Sequence, residues 1–176
     1  MKKTLALIAF AGIASVASAD VLVVDISGWQ SDSGYGGLGN TFTNIALPAG
    51  STIDNISYDI DFTTQGGSWR SELTLSVNDS IDFIGGFWDA SPSADSSGGN
   101  FVGSGNFADA PGGAFGGPFV LTTGDLYIEI YESFDDAGVD AIVNSGTITI
   151  TYTPIPAPGA LALLGLAGVA ARRRRA

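Results

Sequence analysis

The chain has no cysteine and no histidine, and only seven lysines and arginines among its 176 residues. Without cysteine there is no disulfide framework, even in a compartment that would permit one. Without either residue the best ligands for zinc, copper and haem are missing, so any bound metal is expected to be a hard, oxygen-liganded ion. Ser-His-Asp and Cys-His nucleophilic sites are excluded on the same ground. Long apolar runs occur only at the two ends, and no interior stretch has the period of a long amphipathic helix.

The few basic residues are unevenly placed. Lys2 and Lys3 open the chain and Arg172, Arg173, Arg174 and Arg175 close it, which leaves Arg70 alone in between against all eighteen acids. The interior therefore carries a formal charge of −17. Such a surface repels phosphate backbones, so no nucleic-acid partner is expected. It either attracts divalent cations or keeps the domain soluble in salty surroundings.

The first nineteen residues read as a signal peptide. Lys2 and Lys3 form a positive start, Leu5 to Val16 an apolar run, and Ala17-Ser18-Ala19 a cleavage site whose small side chains suit signal peptidase. The mature chain is expected to begin at Asp20.

Residues 20–153 read as one extracellular domain. In "ISYDIDF", Ile56, Tyr58, Ile60 and Phe62 alternate with Ser57, Asp59 and Asp61. "ELTLSV" places Leu73, Leu75 and Val77 on one side, "DLYIEIYE" places Leu126, Ile128 and Ile130, and "GTITITY" places Ile148, Ile150 and Tyr152. Period two in β-branched and aromatic residues predicts half-buried antiparallel strands with polar faces outward. "VLVVDI" and "FTNIAL" add two strands, and "SIDFIGGFW" another with a bulge at Gly85-Gly86. Seven or eight short strands predict an all-β fold, a single antiparallel β-sandwich of jelly-roll type. Between Gly85 and Gly117 lie ten glycines, with Phe101, Phe107 and Phe115 spaced through them. This reads as a long loop, pinned to the sandwich by the phenylalanines or else used for ligand binding.

Across residues 44–152, "TNIALPAGSTIDNISYDIDF", "SELTLSVND", "ESFDDAG" and "GTITITY" resemble in order and strand character the P-domain-type jelly rolls, accessory modules found beside subtilisin-like proteases. The resemblance implies a β-sandwich. No protease domain accompanies it.

Residues 154–176 read as a sorting tail. Pro156-Ala157-Pro158-Gly159 resists helix. The apolar stretch after it runs from Ala160 to Ala171; counted from Ile155 it spans roughly 25 Å as a helix, the short end for a bilayer crossing. The four terminal arginines act as a membrane stop and stay cytoplasmic by the positive-inside rule, leaving the acidic domain outside. "PIPAPGALALLGLAGVAARRRR" resembles the PEP-CTERM sorting signal, with Ala157 where Glu is usual. That resemblance implies an exosortase-like transpeptidase as partner, transient anchoring in the inner membrane, and transfer to the cell surface or an exopolysaccharide matrix. A plain uncut anchor is the alternative.

Enzyme activity is not expected. No lysine outlasts signal cleavage to serve a Ser-Lys site. Paired carboxylates with Trp29, Trp69 and Trp88 would suit glycoside hydrolysis, yet eighteen scattered acids make a chance pair uninformative, and Trp69 and Trp88 are expected in the core. "ESFDDAGVD" has more to offer: Glu132, Asp135, Asp136 and Asp140 crowd a predicted turn, as calcium would require, without matching an EF-hand loop. A solvated acidic turn is the plainer reading of the same residues. The sequence thus points to an exported, non-enzymatic structural protein, with a calcium- or carbohydrate-binding module as the alternative and a polysaccharide hydrolase behind it.

Overall fold

The computed structural model describes residues 18–80, 84–92, 94–107 and 117–155. The sorting motif, the four terminal arginines, Ala17 and Phe115 lie outside these residues. Among the described residues no helix is long and apolar enough to cross a membrane.

The described part of the chain is all-β and sandwich-like, built from antiparallel pairs. Ten strands follow in order: β1 (Asp20–Asp25), β2 (Gln30–Ser31), β3 (Phe42–Ala46), β4 (Thr52–Thr64), β5 (Leu73–Asp79), β6 (Gly85–Asp89), β7 (Asn100–Asn106), β8 (Phe119–Val120), β9 (Asp125–Glu132) and β10 (Ala141–Thr153). The larger sheet runs β1-β10-β4-β7, with β2 on β10 and β8 on β4; the smaller runs β3-β9-β5-β6.

Alternation along each strand determines what points inward. Ile56, Ile60, Phe62, Ile148 and Ile150 from the larger sheet meet Leu73, Leu75, Val77, Leu126, Ile128 and Ile130 from the smaller in one core. Each fully buried side chain of this kind stabilises the fold by about 1.5–3 kcal/mol relative to exposure. Trp88 closes one side, its ring 4.0 Å from that of Tyr58 and 4.5 Å from that of Phe107.

Four expectations need correction. Gly85-Gly86 is no bulge: Gly85 opposes Asn78 and Gly86 opposes Val77 in continuous register, and the shifts fall instead in the β10–β4 pairing. The glycine-rich stretch is not one loop, because β7 runs through it. Gly103 and Gly105 stand opposite Ile60 and Tyr58, and a Cβ there would press on the rings of Phe101 and Tyr58. The missing side chains make room for those rings. Trp69 is 48% exposed and lies in a turn before β5, not in the core. Finally, the polar side of β5 does not face water: Thr74, Ser76 and Asn78 are buried along with Leu73, Leu75 and Val77.

Candidate functional site

What buries the polar side of β5 is the segment from Ser31 to Asn40, which crosses the outer face of the smaller sheet. Its turns are locked by Asn40, whose side-chain oxygen accepts from the Asp32 and Ser33 amides and whose amide donates to the Gly34 carbonyl. The segment is then tied to β9 by Glu129, which is wholly buried. The Glu129 carboxylate accepts from the Gly36 amide at 2.9 and 3.1 Å, from Asn40 Nδ2 at 2.8 Å and from the Tyr127 hydroxyl at 2.9 Å. A buried carboxylate persists where donors of this kind surround it.

This tie carries Tyr35 over the sheet. The Tyr35 ring meets Tyr127 and Tyr131 edge-on at 6.1 and 5.4 Å, and Phe42 lies 5.6 Å beyond Tyr127. Two of these rings, Tyr35 and Tyr131, line one side of a groove. Phe87, 45% exposed, stands on the other, and Gly85-Gly86 form part of the floor. The cavity measures about 330 Å3, near the lower bound of about 300–1,000 Å3 for small-molecule pockets. Gly85 has φ +153°, and a Cβ there would collide with the Val77 carbonyl and the Asn78 backbone. No larger residue fits that floor.

Two polar atoms in the groove lack partners: Ser76 Oγ and Asn78 Oδ1 are buried without a hydrogen bond. The Asn78 amide nitrogen is engaged, donating to the Tyr35 hydroxyl at 3.1 Å. Burial, followed by the Asn78 hydrogen bond in opposition and the charge of Glu129, pushes the Tyr35 hydroxyl above its ordinary range. Burial, with Asp89 nearby, pushes Tyr131 up to about 12, and burial with the Glu129 hydrogen bond pushes Tyr127 up as well. All three rings are neutral hydroxyl bearers at ordinary pH. The described lining residues offer rings, hydroxyls and an amide but no carboxylate.

The acids singled out in the sequence lie elsewhere, at the end of the sandwich where the β4–β5 and β9–β10 connections meet β2. Glu132 continues the inward row of β9 and is buried, accepting from Ser31 Oγ at 2.6 Å. Asp140 is also buried and accepts from Ser68 Oγ at 2.9 Å, and the same hydroxyl lies 3.3 Å from Asp136. Asp135 is exposed. Ser68 thus joins Asp136 and Asp140, Ser31 holds Glu132, and Asp135 stands in solvent. Among the described residues no three acidic side chains converge closely enough to form a metal site by themselves. Burial first, and then the charges of Asp140, Glu72 and Asp136, push the Glu132 carboxyl up to about 8 against the pull of Ser31. Burial likewise raises Asp140, opposed by Ser68.

Of the three tryptophans, Trp88 is too buried to stack on a ligand, Trp29 packs against the core and Trp69 is exposed away from the groove lining. Sequence reasoning missed the groove. One signal was present: in "YIEIY" an acid on the supposedly wet side is flanked by two tyrosines, an apolar surround that open solvent does not call for.

No family model and no curated protein matches the chain. Among solved structures it is similar to the dimeric latent PorU from Porphyromonas gingivalis, at 7% identity and TM-score 0.40, covering 82% of this chain and 14% of that one. It is also similar to the VP2 subviral particle of infectious bursal disease virus, at 15% identity and TM-score 0.36, covering 88% and 39%. The chain thus spans less than half the length of either protein, and likenesses at these scores carry no argument about function.

Proposed function

We propose that the chain is an exported, non-enzymatic surface or matrix protein whose outer groove holds a unit of a neutral carbohydrate chain. The observation that carries this reading is the pair of buried, unpartnered atoms Ser76 Oγ and Asn78 Oδ1 in an aromatic-walled cavity. An unpaired buried polar atom costs about 1–3 kcal/mol, which a ligand hydroxyl recovers by pairing with it. Sugar rings offer hydroxyls on their rims and apolar C–H faces for the rings of Tyr35, Tyr131 and Phe87. The −17 interior disfavours an anionic ligand. The absence of a carboxylate among the described lining residues favours holding over hydrolysis.

Several features support the rest of the reading. The strand pairing is nested, with β1 beside β10, β3 beside β9, β4 beside β7 and β5 beside β6, and this order supports a jelly-roll reading. The signal-peptide-like start, with β1 beginning at Asp20, and the PEP-CTERM-like tail support export, processing by an exosortase-like transpeptidase and delivery to an exopolysaccharide layer.

Calorimetric titration of the full chain against neutral glucans, galactans, mannans and the host exopolysaccharide tests the binding. Tyr131→Ala and Asn78→Ala should each weaken binding at least about tenfold, while Thr149→Ala on the other sheet should leave it unchanged. Absence of binding across the panel, or groove variants that bind like wild type, would overturn the reading. Intact mass of the protein in membrane and medium fractions tests the sorting. A released species running from Asp20 to between Pro156 and Gly159 is expected, and a membrane-only species that keeps Arg172–Arg175 counts against it.

A further inference from the structure

We infer that Glu132 and Asp140 act as a proton-operated latch on the start of the Ser31–Asn40 segment. The latch holds the segment down while the two acids carry protons and lets it lift, with Tyr35, when the protons leave to water. Its bearing on a ligand rests on the reading of the groove as a carbohydrate site; the latch itself does not. The two carboxyl groups are 1% and 2% exposed. Both meet at Ser31, whose hydroxyl donates to Glu132 at 2.6 Å and whose carbonyl accepts the Asp140 amide at 2.9 Å. The Glu132 amide donates in turn to the Ser33 carbonyl at 3.0 Å. The start of the segment is thus tied to these two acids, as its middle is tied to Glu129.

The two ties differ in kind. The Glu129 carboxylate meets three donors, the Gly36 amide, Asn40 Nδ2 and the Tyr127 hydroxyl. Glu132 has the Ser31 hydroxyl alone, and its Oε2 is buried without a partner. Asp140 shares the single Ser68 hydroxyl with Asp136, and its Oδ2 is likewise buried without a partner. A buried charge needs a counter-charge or a full set of donors. The groups that face this pair are acidic on every side: Asp32 beside Ser31, Glu72 before β5, and Asp135 and Asp136 from the β9–β10 connection. Arg70, the only basic residue among the described residues, is committed to Asp95 at 2.9 Å and to the Asn100 carbonyl. Protons therefore keep the pair buried.

The strands decide what yields when those protons leave. Glu132 belongs to β9, which is paired along its length with β5. Ser31 belongs to β2, two residues long and paired with Ala141 and Ile142. The short strand is the easier one to part. Burial pushes the Glu132 carboxyl up to about 8 against an ordinary 4.5, so the folded state holds this proton more tightly than the unfolded chain does. Its contribution is complete below pH 4.5 and is lost as pH rises through 8.

The test is amide hydrogen exchange of the full chain between about pH 6 and about pH 9, each rate taken relative to an unstructured peptide, for wild type, Glu132→Gln and Asp140→Asn. Protection of the Asp32, Gly36 and Asp140 amides should fall at least about tenfold in wild type, while that of Ile148 and Ile150 in β10 holds. Glu132→Gln should flatten the fall and Asp140→Asn should reduce it. A flat wild-type profile would overturn the latch, and so would a fall that both variants keep or that β10 shares. Should the variants fail to fold, infrared spectra of the wild type decide. A protonated-carboxyl band should be present at about pH 6 and gone by about pH 9, and its absence at the lower pH overturns the latch. Calorimetric titration with neutral glucans, galactans and mannans over the same range separates latch from groove. Affinity that falls with protection supports the coupling, and constant affinity while protection falls overturns it. Binding nowhere in the range overturns the groove reading and leaves the latch to be decided by exchange.

Discussion

The outer faces of the two sheets are built by the same alternation and end in different places. On the larger sheet the outward rows set Val23, Thr149 and Ser57 side by side, then Asp25, Thr147 and Asp59, all exposed or half-exposed. On the smaller sheet the outward rows hold Glu129, Ser76 and Phe87, then Tyr127, Asn78 and Gly85, and much of this face is buried beneath the Ser31–Asn40 segment. The larger face is mostly short hydroxyls and acids that water satisfies, with the small apolar side chains of Val21, Val23 and Val102 exposed among them. The smaller one has tyrosines, whose apolar rings reward a cover, and a glutamate that can tie the cover down through backbone amides. A polar residue on an outward face is thus no guarantee of solvent, and the face that gains a cover also gains a recess.

The comparison can be broken in order of size. The inward sides should behave alike: Phe62→Ala on the larger sheet and Trp88→Ala on the smaller should each cost about 3–5 kcal/mol in denaturant unfolding. A large inequality between them would mean that the two sheets do not share one core. The outward sides should differ. Glu129→Ala strands the Gly36 amide, the Asn40 side chain and the Tyr127 hydroxyl, and should cost about 2–4 kcal/mol. It should also speed hydrogen exchange at Gly36 and Gly37, which a merely local cavity would not do.

Alkali should separate the faces next. Tyr131 keeps its proton to about 12 in the folded protein against an ordinary value of 10.0, so the folded state holds that proton more tightly than the unfolded chain does. Stability from this group is therefore complete below pH 10 and lost as pH rises towards 12. Unfolding curves across that window should show a decline that Tyr131→Phe reduces. The smallest effect is expected at Thr149→Ala, within about 0.5 kcal/mol, because its half-exposed side chain covers nothing. A cost as large as that of Glu129→Ala would erase the distinction between the faces.

Much of the core was legible. Ile56, Ile60, Phe62, Leu73, Leu75, Val77, Leu126, Ile128, Ile130, Ile148 and Ile150 were assigned inward by alternation, and all are buried. β7 was not legible, because glycine at Gly103 and Gly105 reads as turn unless one knows that Phe101 and Tyr58 fill the space above it. Trp69 was misplaced because hydrophobicity alone favoured the core, whereas its amide is held in a turn, donating to Glu72 at 2.7 Å. At the acidic end the sequence could not separate exposed Asp135 from buried Glu132 and Asp140, since that depends on Ser31 and Ser68, far away in the chain.

The sequence by itself determined the side on which the residues of the alternating strands point, the charge of the region between the two basic ends, and the exclusion of thiol, imidazole and disulfide chemistry. These are local or compositional properties, carried by period two and residue counts. Only the tertiary structure decided which outward face stays wet, where the unpartnered atoms gather and which acids lose contact with water. Those outcomes rest on pairs such as Gly36 with Glu129 and Ser31 with Glu132, about a hundred residues apart in the chain. No local pattern encodes such a meeting. It exists only once the chain has packed.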